Sequence, residues 1–172
     1  PSVASVQAAL DQAVNQVVDL DNIYVQAGAV GGNGSRANPF GTIPQGIAAV
    51  NPGGTVHILS GTYPITSQIV VNKAGITLKG EPGTLLFLQA NIIAMLITAA
   101  NTTIDGLTMT SDIPYAKEFI QIGGNNTTII NNTIYGPPQA LPMSSWVVNR
   151  AIVSQGGLAI SVMNNTFHSL RT

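Results

Sequence analysis

A short segment rich in Thr, Ile and Asn recurs along the chain at a nearly constant interval. Its clearest copy is TTIINNTIY at 127–135, and related copies lie at 75–80, 102–109 and 160–168. Aligning one apolar residue from each copy gives steps of 26, 26 and 33 residues. The aligned residues are Leu78, Ile104, Ile130 and Met163. Repeats of this length are typical of solenoids, in which each unit buries its apolar side only against the next unit.

The repeat has the composition of β-strands joined by sharp bends. Its β-branched residues alternate with short polar ones, which is a strand pattern and not a helical one. Asn-Asn or Asp-Gly stands between the two strands of a copy, and these residues tolerate the left-handed backbone conformation of a bend. The sequence therefore predicts an all-β fold, a right-handed parallel β-helix whose coils stack at the strand spacing of about 4.8 Å.

The alignment makes specific predictions about which side chains stack. Ile104 and Ile130 are expected to be buried one coil apart, with Leu78 below them. Asn131 and Asn165 are expected to stack at the bend and to share amide hydrogen bonds. Because side chains alternate between the two faces of a strand, these expectations also fix which residues face the core.

A third strand face and two long loops complete the predicted coils. Segments 95–97, 119–121 and 151–153 are expected to stack on one another. Loop 111–118 and the longer, Pro-containing loop 136–150 each precede a strand of this face in successive coils. Both loops therefore leave the same corner of the solenoid, and we expect them to be neighbours in space.

Composition excludes several classes of function. Only 8% of the 172 residues are charged, and the net charge is −1, so no basic patch for nucleic acid is expected. No apolar run approaches the roughly 18 residues needed to span a bilayer, and membrane insertion is not expected. The chain has no Cys, which excludes disulfides and thiolate metal sites. Since it begins with Pro1 and ends soon after a repeat, we expect a processed form or a fragment whose β-helix continues further.

The first twenty residues predict the one long helix of the chain, over residues 2–20. Its apolar residues step by 3, 4, 3, 4 and 3, which is a heptad pattern. They are Val3, Val6, Leu10, Ala13, Val17 and Leu20. Two interpretations remain open for this segment, 1–21: a cap over the first coil of the β-helix at 22–172, or a self-association helix, for which a trimer is expected. Two and a half heptads are too short for a stable coiled coil alone.

A shorter helix is predicted near 43–50, where Thr42 and Gln45 form a capping box and Pro44 lies in the first turn. The segments around it, 33–43 and 53–63, together with KAGITLKG at 73–80, resemble the opening coils of bacterial pectin-lyase-like β-helix proteins. The resemblance spans about residues 22–168 and implies the right-handed parallel β-helix fold. It implies no single function, because that superfamily includes lyases, hydrolases, adhesins and inert surface proteins.

The two long loops hold most of the side chains that could bind a ligand or carry chemistry. These are Asp112, Tyr115, Lys117, Glu118, Trp146 and Arg150. An aromatic ring beside an acid and a base is typical of sugar-binding sites. We therefore expect a shared groove for a glycan between the loops. Its predicted lining is Tyr115, Glu118, Trp146 and Arg150.

The resemblance also suggests an enzyme as an alternative. In a polysaccharide lyase, Lys117 or Arg150 would remove the proton next to a uronate carboxylate, with Ca²⁺ held by several acids. Hydrolysis would need two carboxylates, for which Asp112 and Glu118 are the available pair. Enzymes of this superfamily gather several Asp on one sheet face, whereas the regular coils here offer few acids, and Asp105 is expected to take a structural bend position.

No metal site is predicted from the two His residues. His57 lies in an alternating strand and is expected to face outward, and His168 matches Tyr135 of the previous repeat. The leading hypothesis is a structural or adhesive β-helix without catalysis on a bacterial extracellular, cell or spore surface. Its expected partners are glycans or other surface proteins. The alternative is a carbohydrate-active β-helix that uses loops 111–118 and 136–150.

Overall fold

The computed structural model describes residues 1–138 and 150–170, which form two helices and a series of short parallel strands. The helices are α1 (Val3–Gln16) and α2 (Ile43–Ala49). The strands are β1 (Asn22–Val25), β2 (Thr55–Ile58), β3 (Gly61–Ile65), β4 (Ile69–Val71), β5 (Thr77–Gly80), β6 (Thr84–Leu88), β7 (Met95–Ile97), β8 (Thr103–Asp105), β9 (Thr108–Ser111), β10 (Ile120–Ile122), β11 (Thr128–Ile130), β12 (Thr133–Tyr135), β13 (Ile152–Ser154), β14 (Ser161–Met163) and β15 (Thr166–His168).

Successive strands belong to three different parallel sheets, so the chain winds as a right-handed parallel β-helix, as predicted. Sheet A has the order β1-β2-β5-β8-β11-β14. Sheet B has the order β3-β6-β9-β12-β15, and sheet C has the order β4-β7-β10-β13. A coil runs from sheet A through a bend to sheet B, through a loop to sheet C, and through a turn back to sheet A.

The core is a set of stacked apolar columns inside the coils. In sheet A, Leu78 lies opposite Ile104, as predicted. The next residue in this inward column is Ile129, not Ile130. Ile129 is fully buried, whereas Ile130 lies opposite Asp105 on the outward face. The predicted register of this coil is therefore wrong by one residue, which moves every side chain to the opposite face.

Sheet C shows the same kind of correction. The three predicted segments do stack, and Met95 pairs with Ile120, which pairs with Ile152. The sequence pattern aligns Met95 with Phe119 and Ala151, each one residue before its observed partner, so this register is also wrong by one. Phe119 is nevertheless fully buried, because it lies just before β10 and enters the core from the preceding loop.

Residues with positive φ turn the chain between sheets A and B. This bend position is occupied by Gly106, Asn131 and Asn164, with φ of 73°, 59° and 54°. The sequence analysis placed Asp105 in the bend, and this prediction is wrong: Asp105 is the last residue of β8. Glycine and asparagine tolerate this region at little cost, so the stacked bends explain why these residue types recur.

An asparagine ladder follows the same bend. The buried Asn132 side chain donates to the Ile104 and Ile130 carbonyls and to Oδ1 of Asn165, at 2.9–3.0 Å. Its Oδ1 accepts from the Leu107 amide at 2.9 Å. Stacked amides were predicted for Asn131 and Asn165, and the structure places them at Asn132 and Asn165. The ladder satisfies backbone groups that the bend removes from the sheets.

Helix α2 covers the first coil. Its residues Ile43, Gly46 and Ile47 are buried, and a Cβ at Gly46 would lie 2.7 Å from Val25 and Val56. The predicted capping box of α2 is present. At the C-terminal end of α2, Lys73 from the next coil donates to the carbonyls of Ala48 and Val50. A positive charge at this end also interacts favourably with the helix dipole.

Helix α1 lies apart from this core. It spans Val3–Gln16 and is shorter than the predicted 2–20 because Val17 already has an extended backbone. All described side chains of residues 3–14 are exposed, including the heptad residues. Helix α2 packs on β1, β2 and β4 of the first coils, and the choice between a cap and a self-association helix for α1 stays a prediction. Among the described residues, no helix is long and apolar enough to cross a membrane.

Candidate functional site

The two predicted loops meet where they enter sheet C. The Phe119 amide, at the end of loop 111–118, donates to the Arg150 carbonyl at 2.9 Å, and the Ile120 amide donates to the Ala151 carbonyl. Strands β10 and β13 pair directly after these bonds. The structure therefore brings the ends of the loops together, one coil apart.

Glu118 and Arg150 form an ion pair between the two loops. Nη2 of Arg150 lies 3.1 Å from Oε2 of Glu118, and the exposed fractions of the two side chains are 49% and 5%. A carboxylate buried to this degree needs a partner charge, because desolvation of an unpaired charge costs several kcal/mol. Arg150 supplies that charge, and Glu118 in turn holds Arg150 against the base of the loop.

Asp112 and Tyr115 form a second pair within loop 111–118. The Tyr115 hydroxyl donates to Oδ1 of Asp112 at 2.7 Å. Desolvation and this carboxylate raise the pKa of Tyr115, so the phenol stays protonated as a donor. The half-buried ring packs against the core. Asn91 of the preceding coil accepts from the Ala116 amide at 3.3 Å, which ties the loop to its neighbour.

The remaining predicted site residues are not gathered into this pairing. Lys117 is exposed next to Glu118 in sequence. Trp146 lies in 139–149, outside the described residues, so the groove between Tyr115 and Trp146 stays a prediction. The described part of the site thus consists of two acid-containing pairs, Asp112 with Tyr115 and Glu118 with Arg150.

The outward face of sheet C lies beside these loops and carries no ionisable side chain in its described strands. The side chains of β4, β7, β10 and β13 alternate, and the central residue of each points outward. These residues are Val70, Leu96, Gln121 and Val153. Gln121 also donates to the Gln155 side chain. This face can offer apolar contact and an amide, but neither a proton acceptor nor a charge for catalysis.

The residues present do not fit a Ca²⁺ site of the kind that the lyase alternative requires. Ca²⁺ takes six to eight oxygen ligands, with several carboxylates among them. Within the described residues, no group of three or more His, Asp or Glu side chains converges. Asp112 accepts from Tyr115 and from the Ile113 amide, and Glu118 faces Arg150. We therefore derive no catalytic step through a metal ion.

Sheet A carries an outward row of ionisable residues that the sequence analysis did not recognise as a row, although it predicted the outward position of His57. The Tyr24 and His57 rings stack with their centroids 4.6 Å apart, and the Arg36 guanidinium lies 5.4 Å from the Tyr24 centroid. A nitrogen of His57 lies 2.9 Å from Oδ1 of Asn22. Burial lowers the pKa of His57. Aligning 22–25 with 55–58 as equivalent strands would have revealed this row.

The row continues into an ion pair between coils. Nζ of Lys79 lies 2.5 Å from Oδ2 of Asp105. Oδ1 of Asp105 also accepts a hydrogen bond from the side-chain amide of Asn131 at 2.9 Å. Although desolvation acts in the opposite direction, these two hydrogen bonds hold the pKa of Asp105 below its usual value. Asp105 thus has a structural role. On sheet B, His168 lies opposite Tyr135, as predicted, with ring centroids 4.9 Å apart.

Comparisons with known proteins show the fold and leave the activity open. No protein-family model and no curated protein sequence matches this chain. A solved structure described as "Rhamnogalacturonan lyase" superposes with a TM-score of 0.59 at 14% sequence identity. The match covers 85% of this chain and 51% of that chain, so this chain spans about half its length. The chain therefore has the pectin-lyase-like β-helix fold.

Proposed function

We propose that this chain is a structural or adhesive β-helix module of a bacterial extracellular, cell or spore surface, and that it acts without catalysis. The observation that carries the proposal is the state of the acids and bases in the loops. Glu118 is buried against Arg150, and Asp112 accepts from the Tyr115 hydroxyl. In its described strands, the sheet face beside the loops presents Val, Leu and Gln side chains at the central positions.

This arrangement opposes the two enzymatic mechanisms. Inverting or retaining hydrolysis uses two carboxylates about 5–9.5 Å apart that exchange protons with the substrate. Glu118 is only 4% exposed and is engaged by a cation, which leaves it poorly placed for proton exchange. A lyase base must reach a proton beside a carboxylate, and Arg150 is already committed to Glu118. Lys117 is then the remaining cation of the described loop residues for that role.

A carbohydrate-active β-helix is the second candidate. Two observations favour it: a protein of the same fold is described as a lyase, and the ends of loops 111–118 and 136–150 meet at Glu118 and Arg150. Under this alternative, Lys117 or Arg150 would be the base of a lyase, whereas Asp112 and Glu118 would be the two carboxylates of a hydrolase. Tyr115, Glu118, Trp146 and Arg150 would line the sugar-binding groove.

The two candidates are separated by incubating the protein with a panel of polyuronates and neutral glycans, with and without Ca²⁺. The structural module should release neither unsaturated product, seen as new ultraviolet absorbance, nor new reducing ends. If unsaturated product forms, Lys117→Ala should abolish it, whereas Lys79→Ala on sheet A should not. If new reducing ends form without unsaturation, Asp112→Asn should abolish them instead. Such a result would contradict the proposal.

Adhesion without catalysis requires its own measurement. The same glycans, immobilised, should retain the intact protein if the module binds a cell-surface polysaccharide. Retention that Tyr115→Ala weakens would assign the contact to the loop surface. Retention without product would support an adhesive module, and failure to bind any glycan would leave protein partners as the adhesive targets.

A further inference from the structure

The apolar side of α1 is an exposed surface that the described part of the chain leaves largely uncovered. With 3.6 residues per turn, all its Val and Leu residues fall within an arc of about 100°, together with one of its four alanines. They are Val3, Val6, Leu10, Ala13 and Val14. Their large side chains are between 46% and 87% exposed. An arc this wide is typical of a helix that packs on another surface.

The rest of the chain does not offer that surface. Helix α2 already covers the first coil, since Ile43 and Ile47 are buried there. The described side chains of α1 remain exposed beside it. At one edge of the arc, Val14 lines a hollow with Tyr24 and Arg36 but is still 65% exposed. The chain thus covers little of the arc, and something outside the chain must cover the rest if it is covered at all.

We infer that α1 is a self-association helix and that its cover is the same arc of further copies of this chain. Val3, Val6, Leu10 and Ala13 step by 3, 4 and 3, which keeps an apolar seam facing an identical helix. This inference concerns assembly and does not depend on whether the β-helix binds glycans.

Charge also favours another copy over a membrane surface. Asp11 is the charged residue of α1, and the helix contains no Lys or Arg. Interfacial membrane helices are rich in Lys and Arg on their polar face, and anionic lipids would repel an acidic helix. In the heptad, Asp11 lies outside the seam and outside its flanking positions. Its side chain accepts from Gln7 at 2.8 Å, so copies can pack without opposing like charges.

The heptad pattern also predicts the number of copies. The a positions hold Val3 and Leu10, and the d positions hold Val6 and Ala13. The seam lacks Leu at d, the feature that with a β-branched a residue favours two helices, and its central pair, Leu10 at a and β-branched Val6 at d, favours three or more. A 14-residue helix is about 21 Å long. Its seam is smaller than the roughly 800 Å² per partner of a standard interface. We therefore expect a weak, reversible trimer.

Sedimentation equilibrium of the full chain tests this directly. Measurements from about 1 µM to about 1 mM bracket the expected dissociation constant, on the order of tens of micromolar. The wild-type chain should pass from a monomer of 17.8 kDa to a species of three times that mass. Leu10→Glu should remain monomeric throughout, because it places a charge in the seam. Gln12→Glu adds the same charge on the opposite side of α1 and should associate like wild type.

Two further measurements keep the result interpretable. The circular dichroism and thermal midpoint of Leu10→Glu at low concentration should match wild type, since α1 lies apart from the β-helix core. Co-sedimentation with zwitterionic and with anionic vesicles tests whether a membrane surface, and not another copy of the chain, covers the apolar arc of α1. A monomeric wild type at every concentration would overturn the inference. So would a Leu10→Glu variant that associates like wild type, or vesicle binding that this substitution abolishes.

Discussion

Replacing Asn132 by Ala tests the asparagine ladder as a source of stability. Asn132 is 1% exposed, and its side chain links its own coil to the coils before and after it through four hydrogen bonds. The substitution leaves the Leu107 amide without its acceptor in a buried bend and removes the donor to the Ile104 and Ile130 carbonyls. The backbone itself need not move, because the Asn132 amide still donates to Asn165.

The expected cost follows from these contacts. A buried donor left without a partner costs about 1–3 kcal/mol, and each lost intramolecular hydrogen bond contributes about 0.5–1.5 kcal/mol. Because some bonds relax together, we expect Asn132→Ala to lower the free energy of unfolding by about 3–4 kcal/mol in total. With a urea dependence near 2 kcal/mol per molar, the unfolding midpoint should fall by about 1.5–2 M.

Equilibrium urea unfolding, followed by circular dichroism, measures this change against a matched control. Asn125 is exposed, and its side chain accepts a single backbone hydrogen bond, from Leu158 at 2.9 Å. Water can replace that bond, so Asn125→Ala should cost less than about 1 kcal/mol. Equal losses for the two variants would refute the argument, since burial of the amide would then make no difference.

Three further predictions concern the core, a bend and an ionisable stack. Ile129→Ala should lower the free energy of unfolding by about 2–5 kcal/mol, the range for large-to-small core changes. Ile130→Ala, on the outward face, should lower it by less than about 1 kcal/mol, and chemical denaturation of both variants tests the register. Ala159 has φ of 55°, so Ala159→Gly should raise stability by about 1 kcal/mol and raise the thermal midpoint. Burial lowers the pKa of His57, so the unfolded chain takes up this proton first, and stability should fall as the pH drops through about 6.5. His57→Gln should remove that part of the pH dependence, and an unchanged profile would contradict the assignment.

The sequence by itself determined the type of fold. Alternation of β-branched and polar residues, and the preference of Asn and Gly for positive φ, are local properties of the backbone. The repeat spacing then required coils of nearly constant length, which only a stack of parallel strands satisfies. The capping box at Thr42 and the neighbouring ends of the two loops could be predicted for the same reason, since each depends on a few adjacent residues or on the repeat.

The tertiary structure alone decided the register and the pairing of charges. In the segment 127–135, two Ile and two Asn stand side by side, so the local pattern fits two alignments that differ by one residue. The pairing of β11 with β8 places Ile129 in the core, and the same register places Asn132 in the asparagine ladder. Glu118 and Arg150 are 32 positions apart, and only winding of the coil brings them together. The packing of α2 on β1, β2 and β4 is likewise a contact between segments of different coils, which no local pattern specifies.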